Sequence, residues 1–396
     1  MWSYFTIELK TFFTNKKNIA VYTFLLGFVI FYAFRLAPAY DPIEKVDIYE
    51  IEARYLTREE FLISQQYSLV GQKHPAVLYA ISVFETLNPM DLRRMEALEN
   101  KDLVTYAKET AQWYQFTDYF TAGEGYFYYN PRYYTYGNNE AHLEGHLAYM
   151  ATAARYKAYA EVDTRLNLEV FEEFTAVQTL YRLMDDYLPY ILLVGCLLLS
   201  VDIILQDRKY PTLLRGYPIA DWKKVLAKFL TAFIGTLALF VPIGIGYMII
   251  GAQFGFGSFD LPVPIYAKES FTTITMTAYF AKTVSMLLAW FTLVISFVLV
   301  LSLMIRNEVV NLIGGLALIF AEFMYLDRGL GFLKPVENWI PTYTQVSKVV
   351  TNMRNYYYES SAIVYSQGIT LLLVATGGLL IISILITLSK RYRFIK

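Results

Sequence analysis

Runs of apolar residues long enough to cross a lipid bilayer constrain this chain more than any other feature. A helix needs about 20 such residues to span the roughly 30 Å hydrocarbon core. Six segments come close to or exceed that length with few charges: 19–37, 187–206, 229–251, 278–305, 309–326 and 368–389. The fourth and fifth are separated only by Arg306, Asn307 and Glu308, which read as a tight polar hairpin turn. Apolar residues make up 56% of the 396-residue chain and charged residues 17%, which excludes soluble, disordered and collagen-like classes. Residues 1–17 mix aromatics with charges and no small-residue cleavage pattern follows. The first run is therefore expected to remain as a span rather than leave as a signal peptide. The single cysteine, Cys196, lies in an apolar run, so an intrachain disulfide framework and a cysteine-based zinc site are both excluded.

Lysine and arginine in short loops set the orientation of such spans. With the N-terminus inside, the inner segments hold 14 basic residues, from Lys10, Lys16 and Lys17 to Lys390, Arg391, Arg393 and Lys396, against four acids. The short outer loops hold only Lys268, Arg328, Lys334, Lys348 and Arg354. The reading is an all-α polytopic membrane protein with six transmembrane helices and both termini cytoplasmic. Residues 2–18, where Trp2, Tyr4, Phe5, Phe12 and Phe13 alternate with lysines, suit an N-terminal interfacial helix. Residues 1–37 thus comprise that helix and the first span, and 187–396 the remaining spans.

Residues 38–186 fall outside as a large, mostly helical extracellular domain between the first and second spans. They carry 24 acids and 13 bases, a balance of −11, so the rest of the chain carries +10 beneath a net charge of −1. Thr57 with Glu60 matches a capping box, and Asn88 followed by Pro89 reads as an N-cap and first-turn proline opening a helix through Glu99. An Ala-rich helix is expected over 140–161, and a continuous helix over 166–187 running into the second span. The block holds 18 of the 35 tyrosines. Tyr126, Tyr128 and Tyr133 are candidate substrate contacts, although packing and headgroup anchoring are the plainer roles for such rings. His142 and His146, four apart, would share a helix face. A solvated pair is the plainer reading, with metal binding the sharper alternative. Ionisable residues within the spans are Arg35, Asp202, Lys282 and Glu322, each near a span end where snorkelling explains it. Glu322 is the most interior and the candidate for a polar pathway. Glycines in the spans suggest close helix approach, Pro242 a bend in the third span, and residues 339–343 a partly re-entrant outer turn.

The cytoplasmic loop 207–228 is the most informative stretch. It contains Leu213 and Leu214, then Tyr217, Pro218 and Ile219, then Trp222, then Ala227, Lys228 and Phe229, with Arg215, Lys223 and Lys224 interspersed. An ordinary positive-inside connector would explain the charge, but exposed aromatics favour a docking role. These residues, together with the six-span plan, the interfacial helix and the outer segment 327–367, resemble the permease subunit of a type-2 ATP-binding-cassette (ABC) exporter. The size of the 38–186 insertion departs from compact members. The resemblance implies that the loop is a coupling helix docking in a groove of an ABC ATPase subunit, with Tyr217, Pro218 and Trp222 packed there and Arg215, Lys223 and Lys224 orienting it. It implies two ATPase copies, a second permease copy or paralogue, a bacterial cell membrane, and no nucleic acid. The chain has no G-x-x-x-x-G-K-[ST] phosphate loop. It is therefore expected to be no enzyme itself, with ATP and Mg held by the partner. The expected substrate class is a peptide, antimicrobial or lipid-like molecule. The alternative is a ligand-sensing or immunity membrane protein whose extracellular domain binds a peptide.

Overall fold

The computed structural model describes residues 2–66, 73–124, 129–133, 141–205, 219–268, 270–325 and 336–388. The chain opens with α1 (Trp2–Thr14) and α2 (Lys16–Phe31), the latter prolonged by a π-helical turn, Tyr32–Leu36. Asn15 separates the two and caps the second, its side chain accepting from the Lys17 amide at 3.0 Å. Four long helices follow: α3 (Ile48–Gln66), α4 (Pro75–Glu99), α5 (Leu103–Glu124) and α6 (Ala141–Glu161). Successive members pack side by side, α3 on α4, α4 on α5 and α5 on α6. Aromatic edges fill the seams: Tyr106, Tyr156 and Tyr159 surround Phe171, and Trp113, Tyr114, Tyr129 and Tyr149 form a second cluster. Such ring pairs add to their area burial, which lets a block without disulfides hold together.

Local details of this block differ from the sequence expectations. Thr57 does not cap a helix. It lies inside α3, its hydroxyl donating to the Ala53 carbonyl at 2.7 Å, and the start of α3 is instead served by Asp47, which accepts from the Tyr49 amide at 2.9 Å. Asn88 and Pro89 do not open a helix either. The helix begins at Pro75 with His74 as its cap, and Pro89 sits in its interior. Asn88 is buried, with Nδ2 donating to Glu59 at 3.0 Å, so tertiary packing overrides the local signal. The expected helix 140–161 is present as α6.

The continuous helix expected over 166–187 is broken. A short α7 (Leu168–Phe171) ends at Glu172, and Glu173 takes a positive φ of 59°. α8 (Ala176–Asp185) follows, and the stretch Leu168–Asp185 meets α9 (Leu188–Ser200) at a 69° bend. The break has a visible cause. The Ala176 and Val177 amides, which a continuous helix would satisfy internally, donate to the Gly255 and Phe256 carbonyls at 3.0 and 3.1 Å. Gly257, at φ +74°, brings that loop against Thr175, where any Cβ would collide with the threonine hydroxyl at 2.6 Å.

The membrane part continues with α10 (Asp221–Leu237), α11 (Phe240–Phe254), α12 (Met276–Met304), α13 (Glu308–Phe320), α14 (Val346–Val350), α15 (Met353–Tyr357) and α16 (Tyr365–Leu388). α12 runs through the centre, burying Trp290, Phe291, Val294, Val298 and Leu299. The break between α10 and α11 falls at 238–239, where Pro242 cannot donate back to Ala238. Among the described residues, four helices are long and apolar enough to cross a membrane: Lys16–Leu36, Asp221–Phe254, Met276–Met304 and Tyr365–Leu388. The bent pair ending in α9 adds a fifth candidate. The expected span 309–326 appears as the 13-residue α13 followed by a 3-10 turn, Ala321–Met324. At 1.5 Å per residue that helix covers only about 20 Å. The fold is thus a mostly helical membrane-protein architecture.

It is not wholly α. An antiparallel hairpin, β1 (Pro262–Tyr266) and β2 (Phe271–Thr275), pairs Val263 with Ile274 and Ile265 with Thr272. Pro262 and Pro264 disfavour a helix there, and the Thr/Ile run of β2 favours a strand. The hairpin packs against α6 and so joins the α3–α6 block, termed the outer block after the sequence expectation, to the bundle.

Candidate functional site

At one end of the bundle, helix termini that the charge pattern assigned to a common side come together. α9 ends with carbonyls that no intrahelical amide satisfies, and two lysines from other helices reach them. Lys17 Nζ lies 2.5 Å from the Leu198 carbonyl and 2.5 Å from Asp202 Oδ1. Lys228 Nζ donates to the Ile203 carbonyl at 2.9 Å and to Glu8 at 2.8 Å. Cations at a helix C-terminus are favoured by its dipole as well as by these bonds. Asn311 closes the cluster, donating to the Val201 carbonyl at 2.9 Å and Ser302 at 2.7 Å. α1, α2, α9, α10, α12 and α13 thus interlock through these polar contacts.

The proposed docking residues divide at this surface. Trp222, 36% exposed at the start of α10, is open, and Lys223 beside it places Nζ 5.4 Å from the indole centroid. Lys224 is 3% exposed and held by Asp221 at 3.3 Å, so it cannot orient a partner and serves the α10 fold instead. Arg215, Tyr217 and Pro218 lie outside the described residues. α1, expected to rest on the interface, is helical and turns Tyr4 and Phe12 toward α10 while Trp2, Ile7 and Phe13 stay exposed.

At the opposite end, Glu322 is buried in an ion pair. Its Oε2 accepts from Arg354 Nη2 at 2.6 Å and its Oε1 from the Tyr358 hydroxyl at 3.1 Å. Both charged residues are at most 2% exposed. Glu322 therefore ties the end of α13 to α15. In the neighbouring segment 339–343, Thr342 and Tyr343 are fully buried while Trp339 is exposed, and Trp290 of α12 donates to the Tyr343 carbonyl at 2.8 Å. A chain from Tyr279 to Ser347 to Asp185, with bonds of 2.6 and 2.7 Å, links α12, α14 and α8.

In the outer block, Tyr133 donates to Glu44, which also accepts from Thr152 at 2.6 Å and Arg155 at 2.8 Å, while Arg155 bridges to Glu173. Burial, and then the Glu44 charge, push the Tyr133 phenol well above its ordinary value. This ring is a structural clasp on the strap 38–47. Tyr126 and Tyr128 lie outside the described residues. His146 Nδ1 is 2.7 Å from Asp118 Oδ1, and His142 Nε2 is 3.3 Å from the Thr121 carbonyl, so both imidazoles are engaged by α5. Among the described residues no group of three His, Cys, Asp or Glu side chains is arranged to hold a metal ion.

Two cavities were not legible in the sequence. A lateral one of about 480 Å³ lies between α2, α8, α9 and α11, walled by Phe28, Val29, Ile191 and Ile243. Arg182 and Asp186 line it among these apolar groups, with the Arg182 guanidinium 3.3 Å from the Tyr40 ring centroid. The other, about 320 Å³, lies within the outer block beside Trp113. Each draws its walls from four or more separated segments, so no local motif announces it.

No family model, curated protein or solved structure matches this chain.

Proposed function

We propose that the protein is the membrane subunit of an ATP-driven exporter of the type-2 ABC kind, moving an amphipathic, peptide-like or lipid-like substrate. On this reading six spans cross the cell membrane and residues 38–186 face outward. A separate ATPase, present in two copies with its ATP and Mg, docks at the basic end, where a second permease copy or paralogue completes the pathway. The observation that carries it is Trp222. A large aromatic left 36% exposed beside exposed Lys223, on a helix otherwise anchored by buried lysines, has the character of a contact anchor. The interlocked helix ends behind it supply a rigid transmission from that surface to α2, α9 and α12. The lateral cavity supports the amphipathic substrate class, since its apolar walls also carry one cation and one anion.

The test is co-purification from the native membrane. The wild-type chain is expected to bring down a phosphate-loop ATPase, and Trp222→Asp, whose side chain does not support the core, to lose it while keeping its thermal unfolding midpoint. Recovery of the same ATPase with the variant, or none with either, overturns the reading.

A further inference from the structure

The outer block is strongly acidic, yet one polar cavity in it gathers Arg54, Arg94, Arg132 and Trp113 as well as Asp41, Glu44 and Glu50. Four helices and the strap converge on it. Arg54 comes from α3, Arg94 from α4, Trp113 from α5, and Asp41 to Lys45 from the strap. The two guanidinium carbons lie 5.5 and 5.1 Å from the Trp113 ring centroid. Arg94 is 5% exposed and is held by Asp91 at 2.8 Å and Thr110 at 3.0 Å. Asp91 is fully buried and is shared with Arg58, so one carboxylate serves two guanidinium groups. Burial lowers the affinity of Arg58 for its proton; Asp91 opposes this, while Arg54 and Arg94 add to it, a sign of crowded positive charge.

The donors on the residues lining this space are not all used. Arg54 Nε and Trp113 Nε1 are both buried and have no hydrogen-bond partner. A buried donor without an acceptor costs free energy unless something fills the place. The nearby acids are otherwise engaged: Asp41 with Arg132 at 2.9 Å, Glu44 with Tyr133, Thr152 and Arg155. Glu50 is exposed and only 3.6 Å from Arg54 Nη1. An indole N–H and a guanidinium can donate but never accept, so these two groups call for an acceptor rather than a metal ion or an ammonium group. The other wall residues include Tyr106, Tyr114, Tyr149 and Tyr156, with Thr110, Asn130, Arg132 and Tyr133 adding polar groups. The rings offer an aromatic body a place to stack.

We infer that this cavity is a binding site for a small monoanionic carboxylate with an apolar or aromatic body, its carboxylate taken by Arg54 and Trp113. A planar carboxylate matches the guanidinium fork. A dianionic phosphate would meet Asp41 and Glu44 at the wall. A volume of about 320 Å³ lies at the lower end of the small-ligand range, which admits one amino-acid-sized group. The carboxylate can belong to a free acid or to the C-terminus of a peptide. The strap that forms one wall leads directly from the turn after α2, so an occupied site bears on the first span. The site stands on its own geometry and holds whether or not an ATPase partner exists.

Calorimetric titration of the full-length protein in detergent with N-acetylphenylalanine, its amide, and inorganic phosphate tests the assignment. The acid is expected to bind saturably and the amide at least about tenfold more weakly, as is each of Arg54→Gln and Trp113→Phe toward the acid. Arg54 is 40% exposed at its side chain and Phe keeps the Trp113 packing, so both variants are expected to retain the wild-type unfolding midpoint. A C-terminally amidated peptide set against its free acid separates the two carboxylate sources. Equal binding of acid and amide, tighter binding of phosphate, no saturable binding, or variants that bind like wild type overturn the proposal.

Discussion

Glu322 and Arg354 show what a charge near the end of a membrane helix means when its partner is far away in sequence. Alone, a carboxylate in an apolar run suggests a pathway; paired with a guanidinium 32 residues later, it is a clamp. Removing one member leaves the other buried without a counter-charge, at a cost of about 3–5 kcal/mol. Arg354→Leu is therefore expected to lower the unfolding midpoint sharply, and Glu322→Leu in the same chain to recover most of the loss, as followed by thermal unfolding in detergent. Additive losses in the double variant would show that the two residues act separately. The same scale separates Lys223 from Lys224. Adjacent in sequence and alike in charge, they differ because the helical turn aims one at solvent and the other at the interior. Only the tertiary packing of α10 decides which is which.

At the scale of elements, long apolar runs were legible because their length alone demands burial or lipid, and α2, α10 with α11, α12 and α16 appear where the runs lie. Helix α6 was legible from its uninterrupted Ala-rich composition. Caps and breaks were not. Pro89 and the 166–187 segment each carried a local signal that a distant partner overruled, Glu59 on Asn88 and the Gly255 loop on α8, while Thr57 lies inside α3, which starts earlier than its capping signal. The docking of α1 depends on a similarly distant match. Phe12 lies so close to Gly235 that a Cβ there would fall 2.0 Å from its ring edge. Phe12 is 5% exposed and has little room to move. Gly235→Ala should cost about 1–3 kcal/mol as overpacking and free α1 from α10. Faster tryptic cleavage after exposed Lys10 is the expected readout, reversed when Phe12→Ala is added. An unchanged cleavage rate in Gly235→Ala would mean that α1 is held elsewhere.

At the scale of the whole molecule, the near-zero net charge conceals an acidic outer block and a basic remainder, and the two parts are held by different physics. The bundle is held by apolar packing around α12. The outer block, with no disulfide and a surplus of acids, relies on tyrosine packing and on the clasp that Glu44 and Arg155 make between the strap, α6 and the α7–α8 turn. That reliance makes the block sensitive to alkali. Burial raises the phenols of Tyr114, Tyr133, Tyr156 and Tyr159 above their ordinary value, whereas in an unfolded chain they ionise near about pH 10. Above that pH the unfolded chain has lost protons that the folded chain still binds, so stability falls as pH rises. Below it the two states bind the same protons at these sites and stability is insensitive to them. A titration following tyrosinate absorbance together with helical circular dichroism should show two phases: a first rise in tyrosinate with the helices intact, and a later cooperative step in which the buried rings ionise as helix is lost. Smooth ionisation of all tyrosines ahead of any loss of helix would mean that the aromatic seams are open to water, and that the outer block is held together in some other way.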